Sequence, residues 1–298
     1  MAKFIISTDS CADYLNSFYG QNNVYCIIMK RIENGKEIGE IFKSEEEHAK
    51  FYENIKKGAL PSTTQLNSYE VQDYFENILQ KESQGDIIHI PLSSGLSGTC
   101  ENAKAAANEI NKTLTGRKIY VVDSLLASGG MAMLVDLLIE MRDAGVDAVE
   151  AVKRVEQTRD HQQTWFIQSD LFHLKRGGRI SGFKAAIGTL LGVKPIITVS
   201  KAGRLQIENT MKGGKKAIQY VLSKAEQFGE KARPDFAKGK LYLFRSSKSE
   251  LYDELKKAII EKYPQAQIRE YLIGPIIGTH VGCGTAALIF EGAPRLDI

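Results

Sequence analysis

The chain has 298 residues, of which 43% are hydrophobic and 25% are charged, and its formal net charge is +3. This composition excludes a disordered or fibrous protein, and the length allows two domains with a core in each. The small net charge, with Lys and Arg spread along the chain, argues against a nucleic-acid-binding protein, and no apolar run reaches the roughly 18 residues of a membrane span. The four cysteines form no metal-ligand or redox pair, and the N-terminus turns polar too early for a signal peptide. We therefore expect a reduced, cytoplasmic protein without a bound metal.

Apolar strands alternate with helices through the first 160 residues. We predict strands at 3–8, 24–29, 86–90 and 118–123, a helix whose N-cap is Ser68, and further helices at 45–57, 101–110, 128–142 and 146–159. The hydroxyl-rich segment Pro61–Gln65 is predicted to be a loop. Such alternation is typical of a parallel sheet with helices on both faces.

The pattern changes after residue 160. The next segments predict a strand at 164–168, helices at 171–176 and 179–191, a hairpin of 193–199 with 203–208, a helix at 212–231, a strand at 241–245, a helix at 250–263, and strands at 267–272 and 285–290. We therefore predict an α/β protein with two domains. Residues 1–160 form a parallel-sheet domain and residues 161–298 a mixed-sheet domain.

Polar residues follow three predicted strands of the first domain, at Asp9-Ser10, Ser93-Ser94 and Asp123-Ser124. In an open α/β sheet, ligands bind at the edge where the strands end. The tip at residues 92–99 is rich in serine and glycine and precedes a helix, whose free N–H groups and dipole favour an anion. The sequence therefore predicts an anion site for a phosphate or a carboxylate. We expect the aspartates to cap helices and to orient this loop.

Two other functions remain compatible with these residues. A serine hydrolase or acyltransferase would pair Ser93, Ser94 or Ser97 with His280, although the Gly-x-Ser-x-Gly pattern is absent. A phosphosugar- or nucleotide-binding protein would use the same loop for phosphate, although neither of the common glycine-rich nucleotide motifs occurs. His280 itself is compatible with a ligand role or with a turn histidine that bonds to backbone, and it could be neutral or charged near pH 7.

Several short motifs occur in a characteristic order along nearly the whole chain. They are Thr8–Asp13, Pro61–Gln65, Leu92–Thr99, Val122–Ser124, Leu174–Ile180, Lys194–Ile196 and His280–Gly284. In these motifs the chain resembles the DegV family, bacterial fatty-acid-binding proteins that serve a fatty acid kinase. One departure is Cys283, which stands where the family usually has proline.

The resemblance implies that a long-chain fatty acid lies between the two domains and that the protein has no catalytic activity or cofactor of its own. The carboxylate would be held by Thr63, by a serine of the Ser93-Ser94 pair and by His280, and we assign Gly95 and Arg179 to the same ligand site. The protein would present the acid to a separate fatty acid kinase subunit, which forms an acyl-phosphate for phospholipid metabolism. Transient contact with a membrane surface would serve lipid exchange.

An apolar tunnel should receive the hydrocarbon chain. We predict that it is lined by Phe166, Phe172, Ile180, Ala186, Ile187, Leu190 and Ile276, with Leu171, Ala185, Leu191 and Ile277 as further candidates. The small residues within 182–188 leave room for a neighbouring chain. A basic rim of Lys175, Arg176, Arg179 and Arg204 would dock an acidic partner or contact nucleotide phosphates if its two segments meet, and would otherwise be a solvated face.

Overall fold

The computed structural model describes residues 4–169, 171–181 and 192–295. In chain order, the strands and helices within these ranges are β1 (Phe4–Asp9), α1 (Asn16–Gln21), β2 (Val24–Ile27), β3 (Lys30–Glu33), β4 (Lys36–Gly39), α2 (Glu45–Lys56), β5 (Ser62–Thr64), α3 (Ser68–Lys81), β6 (Asp86–Ile90), α4 (Thr99–Asn111), β7 (Ile119–Val121), α5 (Gly129–Asp143), α6 (Ala148–Asp160), β8 (Gln162–Ile167), α7 (Phe172–Gly177), β9 (Ile180–Ser181), β10 (Val193–Val199), β11 (Leu205–Lys212), α8 (Gly214–Ala225), β12 (Lys240–Arg245), α9 (Glu250–Lys262), β13 (Gln267–Leu272), α10 (Pro275–Val281) and β14 (Ala286–Glu291).

A four-stranded sheet organises the N-terminal half of the protein. Its strands run in the order β2-β1-β6-β7, and every neighbouring pair is parallel. Because parallel strands are connected by helices that cover the sheet, their side chains are apolar on both faces, and Phe4, Ile6, Ile87 and Ile88 are fully buried. This confirms the predicted parallel-sheet architecture. The tips of β1, β6 and β7 lie next to one another at one edge.

A smaller antiparallel sheet, in the order β4-β3-β5, contacts helix α10 and was not predicted. The segment Pro61–Gln65, predicted to be a loop, contains β5, which pairs with β3 through Thr63 and Arg31. Helix α2 packs beside this sheet with a core of its own, formed by Phe42, Phe51, Tyr52 and Ile55. Three residues of β5 gave too short a pattern for a strand to be predicted.

The C-terminal half is built on a seven-stranded mixed sheet in the order β13-β12-β14-β8-β10-β11-β9. Its first strand in the chain, β8, begins at Gln162. Alternate residues of β8 face opposite ways: Trp165 joins a core with α8 and α9, whereas Phe166 joins the core of the N-terminal half. The sheet therefore contributes one face to each of two cores, and the mixed sheet is as predicted.

Several predicted element boundaries are wrong. Residues Ile180–Ser181, predicted to start a helix, form β9 and pair in parallel with Leu205 and Gln206 of β11, and the rest of that prediction, 182–191, lies outside the described residues. The N-cap of α3 is Asn67, which forms a capping box with Glu70, so Ser68 is the first helical residue. Helix α8 ends at Ala225 and continues as a π-helical turn.

Helix α10 was not predicted from the sequence, and neither was the short helix α1. The N-cap of α10 is Gly274 and its first residue is Pro275, whose fixed φ suits the first turn of a helix. Seven residues are too few for a clear helical period, and three glycines lie within or just after them. His280 therefore lies in the last turn of a short helix and not in a loop.

Candidate ligand-binding site

Two side chains from distant parts of the chain meet at the junction of the two sheets. The Oγ1 atom of Thr63, on β5, lies 2.8 Å from Nε2 of His280, on α10, and the two residues are 217 positions apart. Both were predicted to hold the same anion. The structure thus brings together the two residues of that prediction that are furthest apart in the sequence.

Helix α7 packs against the side of the His280 ring that faces away from Thr63. A Cβ atom on Gly177 would lie 2.4 Å from Nδ1 of His280, so only glycine allows this approach. The Nδ1 atom is buried and has no hydrogen-bond partner among the described residues. Arg176 extends the same contact, because its Nη2 donates to the carbonyl of Pro61 at 2.6 Å, just before β5.

Burial lowers the pKa of His280 from 6.5 to about 4, and the nearby positive charges of Arg179 and Arg176 and the ring of His173 add to this effect. The imidazole of the unliganded protein is therefore neutral at pH 7, contrary to the expectation that it titrates there. A neutral imidazole has one N–H donor, and together with the Thr63 hydroxyl it can bind an oxygen ligand without a permanent charge.

Two aspartates, Asp9 at the end of β1 and Asp123 just after β7, hold the serine-rich loop that follows β6. Asp9 accepts hydrogen bonds from the N–H groups of Cys11 at 2.8 Å and Leu92 at 2.7 Å. Burial raises the pKa of Asp9 to about 6, although these two bonds act in the opposite direction. Asp123 accepts from the N–H of Ser94 at 3.2 Å. The expectation that these aspartates orient the loop is confirmed.

The first residues of this loop contact the C-terminal half of the protein. Ser93 is fully buried and its hydroxyl donates to the carbonyl of Gly203 at 2.9 Å, in the turn between β10 and β11. A Cβ on Gly95 would lie 2.5 Å from the carbonyl oxygen of Ala202 in the same turn. Ser93 and Gly95 therefore hold the turn against the loop at very close range.

The serine of this loop that lines the cavity beside Thr63 and His280 is Ser97, which was considered only as a candidate nucleophile. Its hydroxyl lies 3.0 Å from Oγ1 of Thr99, at the start of α4. Ser94, by contrast, is exposed, and neither it nor Ser93 is among the residues that line the cavity. The sequence signal for Ser97 was its position one residue before the Gly98 that precedes α4.

An apolar cavity runs inward from Thr63 and His280 between the two halves of the protein. The empty space within it and at its open mouth together amounts to about 920 Å³. The apolar residues that line it are Met29, Leu92, Leu96, Ala127, Phe166, Leu174, Val199, Leu205, Phe244, Ile273, Ile276, Ile277, Val281, Ala287 and Ile289. Both halves contribute to the wall, so the cavity is an interdomain one.

Only some of the predicted tunnel residues line the cavity in the structure. Phe166 and Ile276 line the cavity, as does the further candidate Ile277. Ile180 is partly buried against the core, whereas Phe172 is 50% exposed at the surface. Ala185, Ala186, Ile187, Leu190 and Leu191 lie outside the described residues. The wall residues of β12 and β14 were missed because only the register with β8 brings them to the same face.

The four residues of the predicted basic rim are exposed, and one of them, Arg179, lines the cavity. Because Ile180 pairs with Leu205 in parallel, Arg179 and Arg204 directly precede two neighbouring strands. Arg179 also lines the cavity, and its Nε lies 3.4 Å from the carbonyl of Leu96. With Lys175 and Arg176 on α7, these four side chains form the basic rim, whose two segments do meet.

Within residues 4–169, 171–181 and 192–295, no group of histidine, cysteine, aspartate or glutamate side chains is arranged to hold a metal ion. No helix in the same ranges is long and apolar enough to cross a membrane.

Comparison with known proteins identifies relatives along the whole chain. Residues 3–292 match the family described as uncharacterised proteins of the DegV family. A DegV domain-containing protein of Clostridium perfringens is 34% identical over 294 residues, which cover 98% of each chain.

Solved structures have the same fold. A DegV family protein of Thermus thermophilus, described as binding fatty acid, has a TM-score of 0.83 at 26% identity, with 97% of this chain and 99% of that chain covered. A protein of Eubacterium ventriosum, described as stearic acid-binding, has a TM-score of 0.84 at 18% identity over 97% of this chain and 98% of that chain. These matches in sequence and fold establish that the chain belongs to the DegV family.

Proposed function

We propose that this protein binds a long-chain fatty acid, with its carboxylate at Thr63 and His280 and its hydrocarbon chain in the interdomain cavity. The observation that carries the proposal is the pairing of these two polar side chains at the mouth of an otherwise largely apolar cavity. The description of the Thermus thermophilus relative as fatty-acid-binding supports it. A phosphosugar or nucleotide would leave most of the apolar wall without a partner.

Neutral donors suit a carboxylate that must later react. Hydrogen bonds from the hydroxyls of Thr63 and Ser97 and from the neutral imidazole of His280 would satisfy the carboxylate oxygens. Arg179, at the edge of the cavity, would add a positive charge without enclosing the headgroup. We assign the serine contact to Ser97 because it lines the cavity, whereas Ser93 bonds to the carbonyl of Gly203.

Burial of the hydrocarbon supplies most of the affinity. A chain of about 16 carbons at roughly 0.8 kcal/mol per methylene gains about 12 kcal/mol before the ordering costs of binding. Such a ligand would remain bound during purification.

We further propose that the protein presents the bound acid to a separate fatty acid kinase and catalyses no reaction itself. The basic rim supports this proposal, since its exposed positive side chains, one of which lines the cavity, suit docking of an acidic surface or contact with nucleotide phosphates. A serine hydrolase is less favoured, because the His280 ring is hydrogen-bonded to Thr63, and the hydroxyl of Ser97 contacts Thr99.

The first experiment tests binding. Organic extracts of the denatured protein are analysed by mass spectrometry, and the delipidated protein is titrated with octadecanoic acid. We expect about one equivalent of fatty acid per chain, or saturable uptake at this ratio. Absence of both would refute the proposed ligand.

The second experiment tests presentation and catalysis separately. The loaded protein is incubated with the fatty acid kinase of the same organism and ATP, and acyl-phosphate is measured. Thr63→Val should fold normally and reduce its formation at least tenfold. Turnover of activated esters by the protein alone, without the kinase, would instead support the hydrolase.

A further inference from the structure

The wall of the cavity contains two hydroxyl groups far from its mouth. Thr164 and Ser128 both line the cavity, at 7% and 9% exposure. The hydroxyl of Thr164 has no hydrogen-bond partner among the residues that the structure describes. An unpaired buried hydroxyl costs about 1–3 kcal/mol, so the one of Thr164 in an apolar cavity requires an explanation.

Thr164 is directed into the cavity by the alternation of β8. It shares a face with Phe166, which lines the cavity, while Trp165 between them packs in the opposite core. The neighbour of Thr164 on β14 is Ile289, another wall residue.

Ser128 lines the cavity from the N-terminal half. It precedes α5, and its backbone has a φ of 51°, a conformation that non-glycine residues rarely adopt. Its N–H donates to the carbonyl of Cys11 at 2.8 Å, which holds the residue in place. Its hydroxyl interacts with the buried carboxyl of Asp13, where it opposes the larger effect of burial, which raises the pKa of that carboxyl.

The length of β8 between Gln168 and Thr164 indicates where the Thr164 hydroxyl would lie along a bound hydrocarbon chain. Gln168, at the end of this strand, donates to the carbonyl of Val281 at 2.6 Å, next to His280, and so marks the level of the headgroup. Thr164 is four residues back along the strand, or about 13 Å. An extended chain that runs along β8 advances about 1.25 Å per carbon, as C–C bonds of about 1.5 Å at tetrahedral angles require, so Thr164 would lie about ten carbons from its carboxylate.

We propose that Thr164 and Ser128 form a second polar subsite, which selects long-chain fatty acids carrying a hydroxyl or keto oxygen near the middle of the chain. Such an oxygen would pair with the Thr164 hydroxyl, and a saturated chain leaves it unpaired. This inference rests on the proposed fatty acid function and names the class of acid that the cavity prefers.

The test compares octadecanoic acid with its 2-, 10- and 12-hydroxy derivatives by calorimetric titration of the delipidated protein. We expect the 10- or 12-hydroxy acid to bind about five times more tightly than octadecanoic acid, as one added net hydrogen bond gives. The 2-hydroxy acid, with its oxygen near the headgroup, should show no such gain.

Two threonine-to-valine variants test whether the Thr164 hydroxyl causes the preference for the hydroxy acids. Thr164→Val, which keeps the shape of the side chain, should abolish the preference and leave binding of octadecanoic acid as tight or tighter. Thr285→Val is the control, because the hydroxyl of this cavity residue already donates to Gln168 at 2.6 Å, and it should retain the preference.

The outcomes separate this inference from the proposed function. Binding of octadecanoic acid without any preference for the 10- or 12-hydroxy acid overturns the polar subsite alone, and so does a preference that persists in Thr164→Val. Failure of all four acids to bind overturns the proposed function and the subsite with it.

Discussion

The low pKa of His280 predicts a specific loss of stability in acid. Its pKa is about 4 in the folded protein and 6.5 when unperturbed, so the unfolded chain binds a proton first as the pH falls. The stabilising contribution is therefore complete above pH 6.5 and is lost as the pH falls toward 4. At pH 4.5, linkage gives a penalty of about 2 kcal/mol in the free energy of unfolding relative to pH 7.

The assay is urea denaturation of the delipidated wild type and of His280→Gln at pH 7 and pH 4.5. Burial also lowers the pKa values of His48 and His89, and it raises the pKa of Asp9, which changes the stability in acid in the opposite direction. These three groups are present in both proteins. The comparison therefore isolates His280, and the wild type should lose about 2 kcal/mol more than the variant. Equal losses would refute the argument that burial controls this imidazole.

Three further substitutions test the site. Ser97→Ala should weaken binding of octadecanoic acid about tenfold, whereas Ser94→Ala, at an exposed position, should not; equal affinities would contradict the serine assignment. Gly177→Ala should weaken binding by displacing the imidazole, since its Cβ would lie 2.4 Å from the ring. Gly95→Ala should lower the free energy of unfolding by about 1–3 kcal/mol, because its Cβ would meet a backbone carbonyl. Gly20→Ala, whose Cβ meets no described atom within 4 Å, is the control for both glycines, and a change of similar size there would refute the steric argument.

A bound carboxylate should reduce the acid sensitivity of His280. A negative charge next to the ring favours the imidazolium and raises its pKa. Saturation with octadecanoic acid should therefore decrease the difference between wild type and His280→Gln at pH 4.5. An unchanged difference in the loaded proteins would place the carboxylate elsewhere.

The sequence was sufficient to predict the elements whose patterns are long and regular. The parallel strands of the first half are continuous apolar runs, and the helices from α2 to α6 have clear periods and caps, so most of them were found within a few residues. The elements that were missed, α1, β3, β4, β5 and α10, are all short. Two of them, β5 and α10, have three and seven residues. These are the elements that carry Thr63 and His280, so the residues were identified but their placement was not.

The walls of the cavity could not be predicted for a different reason. Phe244 and Ala287 face Phe166 only because β12, β14 and β8 are neighbours in a particular register. Alternation along one strand indicates which residues share a face, but it does not indicate which strands are adjacent. Long-range pairing is therefore the information that the residue pattern lacked.

The serine-rich loop serves two purposes that its composition alone does not separate. Its first part, Ser93 to Gly95, holds the turn between β10 and β11, whereas Ser97 faces the cavity. Since β11 pairs with β9, this contact also fixes the neighbouring Arg179 and the basic rim relative to Thr63 on the other half. The small residues of the loop are thus required by interdomain packing as much as by the ligand, which accounts for a glycine-rich sequence at a site that holds no phosphate motif.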